Sequence, residues 1–357
     1  MRKAARTISI IILLLQVTML SSCTPVAVPA ENKKIKIVCT VFPQYDWVRQ
    51  ILGDEIKNTE LILLLDSRID LHSYQPTIDS IAQVSSCDLL IYVGGESDKW
   101  IESVIKEAVN KNMHVINLLE ALGDYAKAEE IIEGMERDRH EHDPNNAGHC
   151  DDHDMDELHL HDEECEHHES DNRDTDHDEI LDEHVWLSMK NAKVLCSVIS
   201  EKLSLLNSEN AALYQSNLTA YLEKLSALDK EYQMTVDAAP FNALLFADRF
   251  PFRYLLDDYG INYYAAFPGC SAEAEAGFNT IVFLATKIDE FGFKCVLVTD
   301  SSNNKLADTV IRESKSKNQK ILVMDSMQSV SQSEIANGAT FLSIMEKNLN
   351  VLKEALN

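Results

Sequence analysis

Residues 214–232, YQSNLTAYLEKLSALDKEY, set the architecture of the chain. Tyr214, Leu218, Tyr221, Leu225, Leu228 and Tyr232 advance by 4, 3, 4, 3 and 4, the apolar stripe of an amphipathic helix. Val194, Leu195, Val198, Ile199, Leu203 and Leu206 keep the same period upstream. The segment 189–236 is therefore one long helix or two stacked ones. At 1.5 Å per residue, about 25–40 helical residues span roughly 40–60 Å, enough to run past two lobes.

On the N-terminal side of this segment, short apolar runs alternate with helical periods. KIKIVCTV (34–41) predicts a buried strand ended by Phe42-Pro43, and 45–52 a helix stopped at Gly53. Further strands are expected at 59–65, 88–93 and 114–118, with helices at 77–84 and 99–109. On the C-terminal side the pattern repeats. Strands are expected at 243–247, 261–265, 294–299 and 321–324, and helices at 251–259, 278–291, 305–314 and 333–356, the last weakened at Gly338. Strand–helix alternation of this kind builds parallel sheets covered on both faces. The expected class is α/β, with one lobe over 34–128, a linking segment over 184–236 and a second lobe over 237–357.

Between the first lobe and the linking segment lies an insert, residues 129–183. It carries 24 acidic and 3 basic side chains, a net −21 of the chain's −27, so the rest of the molecule carries only −6. Ten of the 12 histidines fall between 140 and 184. No apolar period runs through it, so it has no face to bury and reads as disordered. Imidazoles and carboxylates at this density are ligands for divalent cations. His140, His142, His149, His153, His159, His161, His167, His168 and His177 are thus candidate accessory metal ligands. The acidic balance argues against a nucleic-acid partner.

Arg2, Lys3 and Arg6, an apolar run from Ile8 to Leu20, and Leu20-Ser21-Ser22-Cys23 read as a lipoprotein signal peptide over 1–22, with Cys23 lipidated and 23–33 a tether. The remaining seven cysteines are odd in number and lack a CxxC pair, so they form neither a disulfide framework nor a zinc finger.

In open α/β sheets, ligands bind beyond the C-terminal strand ends, and clefts between lobes are favoured. Four metal-capable side chains meet those conditions. His72 follows the second strand, His184 lies between the lobes, and Asp248 and Asp300 end strands of the second lobe. Alone, each has an ordinary reading as a solvated loop histidine or a helix cap. Together they suit four-coordinate zinc, and manganese as well.

Local motifs sharpen this. Asp70-Leu71-His72-Ser73-Tyr74-Gln75-Pro76-Thr77 resembles a D-P-H-x-Y-x-P run, and Asp182-Glu183-His184-Val185-Trp186-Leu187 a D-P-H-x-W-L run. CDLLIYVGGESDKW (87–100), Asn191-Ala192 and the Tyr214…Asn217…Tyr221…Leu225 series add to the likeness. These motifs are similar to those of the solute-binding lipoproteins of bacterial ABC importers for zinc and manganese. The resemblance implies two similar parallel-sheet lobes joined by one long rigid backbone helix, with the metal site in the interlobe cleft. It implies a monomeric receptor and not an enzyme, held by its lipid on the extracytoplasmic face of the cell membrane. Its partners would be a membrane permease and that permease's ATPase.

Zn2+ is the expected cargo, because a His-rich acidic loop is typical of the zinc-handling members; Mn2+ is the alternative. The chain departs from the pattern where Leu71 and Glu183 replace the two prolines. Asp248 also stands in for the usual His or Glu. Two rivals are weaker. A zinc hydrolase lacks its H-E-x-x-H or binuclear motif, and a surface metal buffer or adhesin would use only the insert.

Overall fold

Buried apolar runs become the strands of two small sheets with the same internal order. The structure, a computed structural model, describes residues 34–66, 70–136, 180–271 and 275–357. Cys23 and the nine insert histidines from His140 to His177 lie outside the described residues. The first lobe runs β1 (Ile35–Cys39), α1 (Phe42–Leu52), β2 (Thr59–Leu63), α2 (Ile78–Ser86), β3 (Leu89–Tyr92), α3 (Lys99–Lys106), β4 (His114–Asn117) and α4 (Leu118–Leu122). Two helices follow, α5 (Met189–Leu206) and α6 (Ala211–Ala238). The second lobe runs β5 (Ala243–Phe250), α7 (Arg253–Tyr259), β6 (Asn262–Pro268), α8 (Phe278–Phe291), β7 (Cys295–Thr299), α9 (Lys305–Glu313) and β8 (Lys320–Met324). It closes with α10 (Gln332–Ala336) and α11 (Phe341–Ala355). The strand orders are β2-β1-β3-β4 and β6-β5-β7-β8, and β3 pairs in parallel with both β1 and β4, as do the strands of the second sheet. Each sheet thus has its switch point between its first and third strands.

The 214–232 stripe forms the buried face of α6: all six of its members are buried. At 28 residues, α6 is about 42 Å long. Near its start Asn217 Nδ2 donates to Ile51 O of the first lobe at 2.9 Å. Farther along, the Tyr232 hydroxyl donates to Met345 O in α11 at 2.6 Å, and its ring stacks on Tyr259. The upstream period is a separate helix, α5, which packs along α6 after a break at 207–210.

Local differences from the sequence pattern have simple causes. Pro43 sits in the first turn of α1, where its missing N–H costs nothing. The expected last helix is two, because Gly338 adopts φ 93° and Thr340 caps α11 anew. α4 is a single turn, too short to show a period, and is capped by Asn117. The cores are separate: Val38, Val84, Leu90 and Ile101 in the first lobe, and Leu245, Leu284, Val296 and Val310 in the second. The lobes also meet directly, where Phe341 N–H donates to Asp46 at 2.9 Å and its ring meets Trp47 edge-on. Among the described residues no helix is long and apolar enough to cross a membrane.

Candidate metal centre

His72 is held by a single turn after β2. Asp70 caps that turn by accepting the His72 N–H at 3.0 Å. His184 is placed by the same device, its backbone N–H donating to Asp182 Oδ1 at 2.8 Å. The two D-x-H stretches therefore converge on one point, with His72 Nε2 and His184 Nε2 3.2 Å apart. His184 is fully buried, and its ring meets Trp186 edge-on. The outer ring nitrogens are also engaged. His184 Nδ1 lies 2.8 Å from Asp182 Oδ1, which fixes that nitrogen as the N–H and leaves Nε2 with its lone pair. His72 Nδ1 lies 2.8 Å from Ser97 Oγ. A carboxylate behind an imidazole, with the far nitrogen free, is the arrangement that orients a metal ligand.

Burial, and then the neighbouring His184 ring, push His72 down to about 3, so it stays neutral. At His184 burial pulls the same way, but the Asp182 charge and hydrogen bond, with Glu183 and Asp70, outweigh it and carry the group upward. A proton on the pair thus belongs to His184.

A third donor stands beside them. His72, His184 and Cys270 each offer one ligand atom, all within 4.8 Å of one another. Neither Asp248 nor Asp300 joins that group. β5 carries an irregularity between Phe246 and Arg249 against β6, and the extra residue redirects the alternation. Asp248 faces the neighbouring strand, where it accepts from Arg249 N–H and from the Thr299 N–H and hydroxyl. Arg249 reaches the His72 loop instead, with Nη2 2.8 Å from Asp70 Oδ2. Asp300 accepts from Ser326 N–H, the Ser326 hydroxyl and the Ser329 hydroxyl. Ser326 O in turn receives the Trp186 indole N–H at 2.9 Å. Asp300 thus steadies the turn on which the ring beside His184 rests. It shares a pocket with Asp325, which burial and Asp300 push up to about 7.

The insert's ends are part of the site. Ala128 and Leu181 form an antiparallel bridge, Asp182 N–H donates to Lys127 O, and Glu129 accepts the Cys270 N–H at 2.9 Å. Glu183 Oε1 accepts the Ser97 N–H at 2.9 Å, and Gly95 must be glycine there: it has φ 83°, and a Cβ would meet that oxygen at 2.5 Å. Among the described residues Glu183 Oε2 is buried without a hydrogen-bond partner, and it lies 3.7 Å from His72 Nδ1.

Close by, Asp98 accepts from Val93 N–H at 2.8 Å and Gly94 N–H at 3.3 Å. Burial pushes Asp98 from 3.8 up to about 7 against the pull of the Val93 bond, with Glu183 adding to the rise. A folded value above the unfolded one means that this group favours folding most below 3.8 and that stability falls as pH rises to about 7. Asp98→Asn is expected to flatten the fall in melting temperature between pH 5 and pH 8. Parallel pH profiles for the two proteins would remove this assignment.

The sequence reading missed Cys270, Ser97 and Arg249. Cys270 was one of seven scattered cysteines without a CxxC pair. Asp182 was legible as the acid of a D-x-H run, and Glu183 only as a missing proline.

The family described as zinc-uptake complex component A, periplasmic (ZnuA), matches residues 37–355. The zinc-binding lipoprotein AdcA of Streptococcus pneumoniae is 26% identical over 339 residues, covering 94% of this chain and 59% of that protein. The high-affinity zinc uptake system protein ZnuA of Bacillus subtilis is 26% identical over 336 residues, covering 94% and 92%. The chain thus spans 56–59% of the length of the streptococcal relatives. Two solved structures share the fold. The Zn(II)-bound ZnuA-like domain of Streptococcus pneumoniae AdcA has a TM-score of 0.64 at 23% identity, covering 90% of this chain and 99% of that one. The periplasmic zinc-binding protein TroA from Treponema pallidum has a TM-score of 0.66 at 17% identity, covering 90% and 99%. With a family match that runs from β1 into α11, and two lobes of the same build, the chain belongs to the ZnuA family.

Proposed function

We propose that this chain is an extracytoplasmic receptor that binds Zn2+ between its lobes and delivers it to the membrane permease of an ABC importer driven by an ATPase. The observation that carries this reading is the pair of Nε2 atoms 3.2 Å apart, one from each D-x-H turn, with the partner nitrogens already engaged. Two nitrogens about 2.0–2.1 Å from a tetrahedral ion stand roughly 3.4 Å apart, so the pair is close to zinc-ready. The ion enters between the two Nε2 atoms. Asp182 keeps His184 in the right tautomer, and Ser97 and Glu183 flank the outer nitrogen of His72. Asp248 and Asp300 act at one remove, by fixing β5 to β7 and the turn beneath Trp186.

The names of the relatives support zinc as the cargo, and imidazole donors favour it over manganese. Binding without chemistry agrees with the family to which the chain belongs and with the zinc uptake protein it resembles. Cys23 would carry the lipid that keeps the receptor at the membrane, and the insert histidines would be a weaker collector that raises zinc concentration near the cleft.

Deleting residues 137–179 separates the two sites. Isothermal titration of the shortened, metal-free chain is expected to retain one tight zinc site at pH 7.5 and to lose the weak ones. That site should weaken as pH falls, starting above the ordinary imidazole value of 6.5, because Asp182 holds a proton on His184 that competes with the ion. Loss of all tight binding on deletion would move the function to the insert.

A further inference from the structure

We propose that Cys270 supplies a thiolate as the third protein ligand of the ion held by His72 and His184. The cleft then offers two imidazole nitrogens and one sulfur, a donor set that selects zinc over manganese. The proposal deepens the receptor reading and rests on it.

Three observations point the same way. First, His72, His184 and Cys270 are the three residues whose ligand atoms lie within 4.8 Å of one another; among the described residues no other His, Cys, Asp or Glu joins that group. Second, the backbone just before Cys270 is pressed against the metal-binding ring. A Cβ at Gly269 would stand 3.0 Å from His184 Cε1, 3.1 Å from Nδ1 and 2.9 Å from Phe250 O. Glycine permits that approach, and the approach brings the next residue alongside the imidazole. Third, the Cys270 N–H donates to Glu129 at 2.9 Å, so the loop is anchored beside the rings, within reach of the His184 and Asp182 charges that act on Glu129.

The donor geometry fits a tetrahedral ion. Zinc–nitrogen bonds of about 2.0–2.1 Å and zinc–sulfur bonds of about 2.3 Å place such donors roughly 3.4–3.6 Å apart. The imidazole nitrogens stand 3.2 Å apart already, and the Cys270 ligand atom lies within 4.8 Å of both rings' ligand atoms. As the metal–sulfur bond forms, the thiol proton leaves to solvent; no electron moves and no oxidant is needed. The chemical consequence is selectivity. Thiolate is a soft donor that suits zinc, whereas manganese prefers carboxylate, carbonyl and water.

The test uses cobalt(II) as a spectroscopic stand-in, in the full chain carrying Cys150→Ser and Cys165→Ser so that the insert has no thiol. Titration of one equivalent of cobalt is expected to give an intense near-ultraviolet thiolate-to-cobalt charge-transfer band together with visible bands of a tetrahedral ion. Cys270→Ser should keep the visible bands and lose the charge-transfer band. Its zinc affinity should fall by more than the roughly 10–100-fold that loss of an outer partner costs, with manganese affinity nearly unchanged. Absence of the charge-transfer band from the parent chain, or its persistence in Cys270→Ser, overturns the thiolate and leaves the histidine site standing. Tetrahedral cobalt bands that survive His184→Ala in the chain also lacking residues 137–179 overturn the receptor site itself. The parent spectrum needs no variant to fold.

Discussion

His184→Ala is expected to lower zinc affinity on the order of 1000-fold, about 4 kcal/mol. The residue is fully buried, so its ring is fixed in place by its neighbours and not by solvent. Its Nε2 is one half of the 3.2 Å pair, and its Nδ1 holds the Asp182 carboxylate. Removing the ring therefore deletes one donor and leaves Asp182 short of a hydrogen bond, at a cost to folding of about 1–3 kcal/mol. A thermal melt in chelator separates that loss from the loss of binding. His72→Ala should give a comparable binding defect with a smaller folding cost, because the partner it leaves is the Ser97 hydroxyl and not a buried carboxylate. Zinc affinity unchanged in His184→Ala, measured with residues 137–179 removed, would place the tight site elsewhere.

Gly269→Ala is the second large effect. No left-handed backbone is involved, so the penalty is one of space. The new methyl would lie 2.9 Å from Phe250 O and 3.0 Å from the His184 ring. Phe250 O is backbone at the end of β5 and cannot swing aside. The His184 ring is enclosed by Trp186 and tied to Asp182. Either the ring or the loop carrying Cys270 must shift. Overpacking of this kind costs about 1–3 kcal/mol of stability. A donor displaced by a few tenths of an ångström should also lower zinc affinity roughly 10–100-fold, the scale seen when an orienting partner is lost. Isothermal titration and a melt of the same preparation check both. Unchanged affinity would mean that the 269–270 loop does not touch the working site.

Much of the architecture could be read from periodicity because periodicity is what burial selects. The 214–232 stripe is the buried face of α6, member for member, since a surface helix packed on two lobes must keep its apolar residues on one side. The strand runs KIKIVC and KCVLVT stood out because strands of a parallel sheet are buried on both faces. What failed was the inference from strand position to side-chain direction. Asp248 and Arg249 are neighbours in a strand and both line the pocket beside Ser73, and one extra residue in β5 sets which partner each side chain meets. A bulge leaves no mark in a hydrophobic pattern. The result is that Asp248 binds Thr299 while Arg249 reaches Asp70.

The histidine pair was legible for the opposite reason. Each lies in a D-x-H turn whose acid caps the turn and so fixes the imidazole locally. Local hydrogen bonding is written in adjacent residues. Cys270 was not legible, because its nearness to His184 depends on a backbone approach between segments far apart in the chain. Nothing in the composition of PGC (268–270) announces it. The insert drew attention by its histidine density. Its described ends matter for another reason: they pair with each other and deliver Asp182, Glu183 and His184 to the cleft.

The most direct test of a tight zinc site built on His72 and His184 is zinc-edge X-ray absorption on the chain lacking residues 137–179, loaded with one equivalent of Zn2+. The expected spectrum shows two imidazole nitrogens at about 2.0–2.1 Å, with the multiple scattering of intact rings. A zinc ion surrounded only by oxygen, or zinc that washes away from the shortened chain, would contradict it.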